Sequence, residues 1–161
     1  MPNFLEFFLG WFVSANVRVK ENLQRRNLSW LLANLLERRV QGVLEQAGAI
    51  MADYKYYRPN HNIHEIARAA HEIVSLTHAY GEGWLIAGEI STLAESGISN
   101  VLCLQPFGCI ANQVTARGVA RRLKEKHKGL NLLFLDVDAG VSEVNYFNRM
   151  HFFVSQAKNM V

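Results

Sequence analysis

Two apolar runs in the C-terminal half constrain the fold more than any other feature of this chain. Val101-Leu102-Cys103-Leu104 leads into Gln105-Pro106-Phe107-Gly108-Cys109, and Leu132-Leu133-Phe134-Leu135-Asp136-Val137 leads into Asp138-Ala139-Gly140. Each run has strand length, is apolar on both faces and stops at polar or turn residues that feed a helix, as a central parallel strand does. The stretch between them, up to Lys126, has room for one helix of about 15 residues, with Gly129 beyond its end. A further helix is expected from Ser142 to about Ala157. Strand, helix, strand, helix with short links is a βαβα unit, whose strands must be parallel and whose crossover is right-handed. Two strands leave open edges, so either an N-terminal segment or another polypeptide must supply a strand. Val13, Ala15, Val17 and Val19 alternate, so residues 13–19 are a candidate strand.

The first 80 residues read as mainly helical. Leu28, Leu31, Leu32, Leu35, Leu36, Val40, Val43, Leu44 and Ala47 recur near helical period, with Glu37, Arg38, Arg39 and Gln41 mostly off that stripe. This predicts a long amphipathic helix running toward Tyr54, with Ser29 as a cap and Pro59 as the break beyond it. A second helix carries Ile63, Ile66, Ala67, Ala70, Ile73, Val74 and Thr77 on its apolar face. Asn60 or Asn62 would cap it and Gly81 would end it. A third is expected from Trp84 to Ser96, stopping at Gly97. The fold class is therefore α/β: a helical N-terminal half, then a βαβα unit forming part of a parallel, doubly wound (Rossmann-like) sheet. Residues 1–80 read as a helical docking segment and residues 81–161 as the α/β lobe.

Composition excludes several functions. Seventeen basic against fourteen acidic side chains give a net charge of +3, too little to argue for nucleic acid. The densest basic run, Arg121 to Lys128, falls where a helix ends and its dipole favours cations. The intensely apolar segment from Phe4 to Val13 is shorter than the roughly 20 residues a bilayer requires. It contains Glu6 and lacks the basic start of a signal peptide, so a docking helix is expected and no membrane span. Two cysteines six positions apart form neither a zinc ribbon nor a disulfide framework, and a reducing cytoplasm is the expected compartment.

Candidate chemistry sits at the carboxyl ends of the two strands, where open α/β sheets bind ligands. Cys109 follows Gly108 at the start of a helix, where backbone N–H groups favour thiolate, the form that binds metals. The competing reading is a small buried hydrophobe. Cys103 lies within the apolar strand and reads as core. Asp136 and Asp138 can hold a divalent cation or make turn bonds ahead of the last helix, with Glu143 in its first turn. Glu82 and Glu89 bracket Gly83 and Gly88, two glycines that suggest close approach of a backbone or a ligand. His64, His71 and His78 recur every seven residues. Seven residues span roughly 10 Å of helix, too far for nitrogens that each need to lie about 2 Å from one zinc. They read as boundary residues. No Walker loop, dinucleotide glycine fingerprint or nucleophile elbow is present.

An ordered series of motifs carries a family resemblance. It comprises Gly81-Glu82-Gly83-Trp84-Leu85-Ile86-Ala87-Gly88-Glu89, Gln105-Pro106-Phe107-Gly108-Cys109-Ile110-Ala111-Asn112, Gly118, the stretch from Asp136 to Asn145, and Asn148-Arg149. The series resembles the C-terminal region of the CoA-substrate-specific enzyme activases, proteins related to 2-hydroxyglutaryl-CoA dehydratase and its activator. The resemblance implies stacked, doubly wound lobes with cysteine-ligated 4Fe-4S clusters, and ATP-driven, low-potential electron transfer to a 2-hydroxyacyl-CoA dehydratase. It implies Cys109 as a cluster ligand, with Gln105, Glu82, Glu89, Asn112, Asp136, Asp138, Glu143 and Asn145 lining the site. The phosphate-binding elements of the activase module are missing, so ATP hydrolysis by this chain alone is not expected. Cubane clusters use up to four cysteines, and only Cys109 is well placed, so no cluster is expected in the isolated chain. The expectation is a C-terminal piece of a longer protein, partnered by its remaining domains or by the dehydratase. Its uncovered apolar surface should favour self-association.

Overall fold

The computed structural model describes residues 4–21, 23–55, 57, 61–78, 81, 83–138, 140 and 142–159, with the side chains of all of these except 4–7 and 29. The chain is mixed α/β and mostly helical, with a two-stranded parallel sheet. Helices α1 (Phe4–Lys20), α2 (Leu28–Met51), α3 (Ile63–His71) and α4 (Trp84–Glu95) precede strand β1 (Asn100–Pro106). A π-helical segment (Ala111–Ala116), α5 (Ala120–Lys126), β2 (Asn131–Val137) and α6 (Glu143–Asn159) complete it. The parallel register runs from Asn100 opposite Asn131 to Pro106 opposite Val137. Asn131 Nδ2 holds its start by donating to Asn100 Oδ1 at 2.9 Å.

The alternating valines at 13–19 lie in α1, not in a strand. Leu9, Phe12 and Val13 recur at helical spacing and are buried against α2, α3 and α4, so the helical period overrides the local alternation. Helix α2 starts at Leu28, and Asn27 caps it by accepting from the Trp30 N–H at 2.9 Å, in place of Ser29. Its expected apolar stripe is split between two faces. Ala33, Glu37, Val40 and Leu44 pack inward, while Leu28, Leu31, Leu32, Leu35, Leu36 and Val43 are 50–71% exposed. Both faces of α2 carry apolar residues. The face that docks holds small Ala33, with Asn34 and Trp30 bonded to Asn16 of α1.

Helix α3 is shorter than its apolar pattern, ending at His71 ten residues before Gly81. The turns that follow still bury Ile73 and Leu76. Asn62 caps α3 by accepting from the His64 N–H, and Asn60 lies outside the described residues. Gly88 of α4 meets the backbone of α3: a Cβ there would lie 2.6 Å from the Ile66 carbonyl oxygen. The close approach expected of that glycine is to a helix.

Two apolar clusters form the core. One joins α1, α2, α3 and the start of α4; the other joins α4, α5 and the inner face of the sheet. That inner face carries Val101, Cys103 and Gln105 of β1 beside Leu132, Phe134 and Asp136 of β2. On the opposite face Leu102, Leu104 and Val137 are exposed. The single helix expected between the strands is broken into the π-helical segment and α5. The Asn112 carbonyl accepts the Arg117 N–H five residues on and also the Gln105 side-chain amide at 2.9 Å. An inserted side-chain donor of this kind widens a helix. Helix α6 has no buried residue and is held to β2 by polar bonds. No helix among the described residues is long and apolar enough to cross a membrane.

Candidate functional site

The site gathers at the carboxyl end of β1. After Pro106 the chain turns sharply: the Cys109 N–H donates to the Pro106 carbonyl at 3.3 Å, and Gly108 supplies the left-handed conformation with φ 73°. The Cys109 carbonyl accepts from Gln113 N–H, so the thiol stands at the start of the helical stretch as the sequence suggests. Cys109 is half-buried. Asn112, one turn on and buried, points its carboxamide back: Nδ2 donates to Cys109 Sγ at 3.1 Å. Oδ1 of the same side chain accepts from Cys103 Sγ at 3.9 Å. Cys103 packs at the edge of the second core cluster but is only half-buried, so it belongs to this site as well as to the core. Gln105 is wholly buried; its Nε2 donates to the Asn112 carbonyl, while Oε1 has no hydrogen-bond partner among the described residues.

Asp136 is opposite Gln105 in the register. Gln113 Nε2 donates to its Oδ1 at 2.8 Å, and Arg117 (3.0 Å) and Arg149 (3.4 Å) both donate to Oδ2. The Gln113 bond is the largest cause holding its carboxyl below the usual carboxylate range; burial, next in size, opposes it, and Arg117 and then Arg149 add to the lowering. Arg149 also donates to the Phe134 carbonyl, which ties α6 to the strand. Two guanidinium groups on one carboxylate leave the local charge positive, and this opposes a divalent cation at Asp136. Asp138 is exposed beyond the strand. Of the other expected lining residues, Glu89 borders a groove of about 450 Å³ along β1, with Ile86, Cys103, Leu104 and Asn112. Glu143 and Asn145 are exposed on α6, and Glu82 lies outside the described residues.

Gln113, Arg117 and Arg149 are functional-site neighbours that the pattern reading did not single out individually. The i, i+4 spacing of Gln113 and Arg117, whose side chains bond each other at 2.9 Å, is the signal that points to the first two. The basic run behaves as a helix end: Lys126 closes α5 and bonds Glu72 at 2.8 Å and Glu95 at 3.1 Å. Burial opposes its charge but these two carboxylates outweigh it, and its pKa is raised. Beside it, burial and then the Lys126 charge pull His127 down, with its Nε2 2.7 Å from Ser91 Oγ. Of the spaced histidines, His64 reaches Glu37 at 3.0 Å across α2 and α3, and His71 and His78 are exposed.

No group of three or more His, Cys, Asp or Glu able to hold a metal ion occurs among the described residues. The chain's two cysteines are fewer than the up to four thiolates that hold a cubane cluster. One contributed thiolate at Cys109, with an amide N–H aimed at its sulfur, does fit. Comparison with family models, with curated proteins and with solved structures finds no match to this chain.

Proposed function

We propose that this chain is a domain of the CoA-substrate-specific enzyme activase type. It contributes Cys109 to an iron–sulfur or substrate site used in low-potential electron transfer to a 2-hydroxyacyl-CoA dehydratase. The observation that carries the reading is the placement of Cys109: half-buried after a parallel strand, at a helix start, with Asn112 donating to its sulfur. Hydrogen bonds to ligand sulfurs are among the levers that set a cluster's potential. A 4Fe-4S cluster bound there would supply one-electron transfer; this chain would supply one thiolate, the amide donor and the buried Gln105 beside them. The remaining ligands would come from other domains of the same protein or from the dehydratase, and no stand-alone catalysis follows from this chain. The pair β1–β2 would then be part of a larger doubly wound sheet, with further strands at its edges and further helices over Leu102 and Leu104 on its outer face.

The test is anaerobic iron–sulfur reconstitution of the protein in its longest natural reading frame, parent against Cys109→Ser. Lower iron content and loss of the cluster absorbance in the variant are expected. Unchanged iron and absorbance would sink the ligand role and favour the second reading. In that reading the chain is a docking module with a structural Cys109, favoured by the exposed Phe107 and Ile110 that flank the thiol.

A further inference from the structure

Between residues 20 and 39, Lys20, Arg25, Arg26, Arg38 and Arg39 stand against Glu21 and Glu37, a local excess equal to the net charge of +3 of the whole chain. Everywhere else basic and acidic side chains balance. Glu37 is buried and faces His64 at 3.0 Å, which leaves Glu21 as the exposed acid of this stretch. Elsewhere carboxylates hold the cations, as they do Arg68, Arg117, Arg121, Lys126 and Arg149. Lys20, Arg25 and Arg26 join no ion pair among the described residues. A solvated surface mixes the two signs, whereas cations gathered without a counter-charge set up a local field that attracts anions.

These three cations line one hollow of about 740 Å³ where α1 ends and α2 begins, together with Asn16, Gln24 and Trp30. No acidic side chain lines it among the described residues. Its walls are held in place. Leu23 and Gln24 N–H both donate to the Arg18 carbonyl, at 2.8 and 3.2 Å, and close the turn. Trp30 Nε1 donates to Asn16 Oδ1 at 2.6 Å, and Asn34 bonds both Asn16 and the Trp30 carbonyl. The Arg26 guanidinium lies over the Trp30 ring, 5.3 Å from its centroid. Helix α2 has no acidic residue in its first turn, so the positive end of its dipole adds to the cations. We infer that this hollow binds a phosphate-bearing ligand, and that the group it takes is a diphosphate. Two guanidinium forks and an ammonium suit phosphoryl oxygens in geometry as well as charge. A single phosphate carries about −1.5 to −2 at pH 7 and would leave part of the three positive charges unanswered. The hollow is larger than the group itself, with room beside Trp30 for the rest of the ligand. A soluble ester and a lipid headgroup offer the same chemistry, and Leu23, 66% exposed on the same turn, would meet the bilayer in the second case.

The test is calorimetric titration of the 161-residue chain with pyrophosphate and with inorganic phosphate at low salt, with circular dichroism to establish that each variant is folded. Pyrophosphate is expected to bind with a dissociation constant of about 100 µM or tighter, and inorganic phosphate at least about fivefold more weakly. Arg25→Gln with Arg26→Gln should weaken pyrophosphate binding at least about tenfold, and Lys20→Gln about threefold. Lys124→Gln with Lys128→Gln removes two exposed charges from the basic run at the end of α5 and should change binding by less than about twofold. A chain that binds neither anion nor lipid overturns the inference. So does a Lys124/Lys128 variant that loses as much affinity as the Arg25/Arg26 variant, because overall charge then accounts for the binding. Equal affinity for the two anions overturns the diphosphate assignment. Flotation with vesicles of phosphatidylcholine and phosphatidic acid at about 4:1 separates the two sources. Pyrophosphate binding without flotation places the diphosphate on a soluble ligand, and flotation that pyrophosphate reverses places it on a lipid. Flotation without pyrophosphate binding overturns the diphosphate assignment.

Discussion

Gly88 is the position where the packing of two helices depends on the absence of one carbon. An ideal Cβ there would stand 2.6 Å from the Ile66 carbonyl oxygen, 2.7 Å from Ile66 Cγ2 and 3.1 Å from Ala70 Cβ. The oxygen belongs to the backbone of α3 and Ile66 is 2% exposed, so relief requires the helices to part. Gly88→Ala gains about 1 kcal/mol of helix propensity. Overpacking a filled core costs about 1–3 kcal/mol, and parting the helices also loosens the contacts of Ile66 and Ala70. The expected net change is a destabilisation of about 1–2 kcal/mol, or about 2–8 °C in Tm for a chain of this size. Gly118→Ala is the control, because nothing lies within 4 Å of its Cβ position and its φ is negative. It should be neutral or stabilising by up to about 1 kcal/mol. Urea and thermal unfolding at one fixed protein concentration read both. A Gly88→Ala chain as stable as the parent, beside a Gly118→Ala chain that behaves as expected, would refute the close-approach argument.

Three further outcomes follow from named contacts. Trp84→Phe removes the buried indole N–H bond to Ser14 Oγ at 2.7 Å and should cost about 1–2 kcal/mol; a loss within the error of urea unfolding contradicts this. Asp136, with its depressed pKa, contributes stability that is present above the unfolded carboxylate value of about 3.9 and lost as pH falls through the folded value. At pH 7, Asp136→Asn should cost about 1 kcal/mol, reduced by solvent screening at a carboxylate 31% exposed, and should speed amide exchange in α6; unaltered exchange there argues against the clamp. His127 also has a depressed pKa, so the unfolded chain takes up its proton first as pH falls below about 6.5. Stability should therefore drop between pH 7.5 and 5.5, and His127→Gln should shrink that drop; the same drop in the variant would rule His127 out as its source.

The two strands, their parallel pairing and the position of Cys109 were legible because a run apolar on both faces has few other solutions. Helix α4 was legible for the same reason. The orientation of α2 was not. Periodicity locates an apolar stripe but cannot say which of two apolar faces docks, and here Ala33 with its neighbours wins over five leucines. The alternation at 13–19 mimicked a strand because valines and small residues suit both periods, and burial of Leu9 and Phe12 decided for helix. At the site, Cys103 was read as core since its neighbours in sequence are apolar. Its link to Cys109 runs through Asn112, nine positions away, and becomes visible only when the chain folds back. The π-helical widening depends on the Gln105 amide and has no local signature.

Helix α4 has consequences for how the molecule comes apart. Trp84 and Leu85 belong to the first apolar cluster, Ile86 and Ile90 to the second, and all four are nearly inaccessible to solvent. A helix dry on both sides has no face to turn toward water, so it cannot remain folded when either neighbour leaves. The N-terminal helices and the sheet touch each other little, yet each loses its floor if the other melts. The chain should therefore behave as two cores on one shared wall, with a single cooperative transition where the count of clusters would suggest two. The outer helix α6, which has no buried residue of its own, is the part free to open ahead of it.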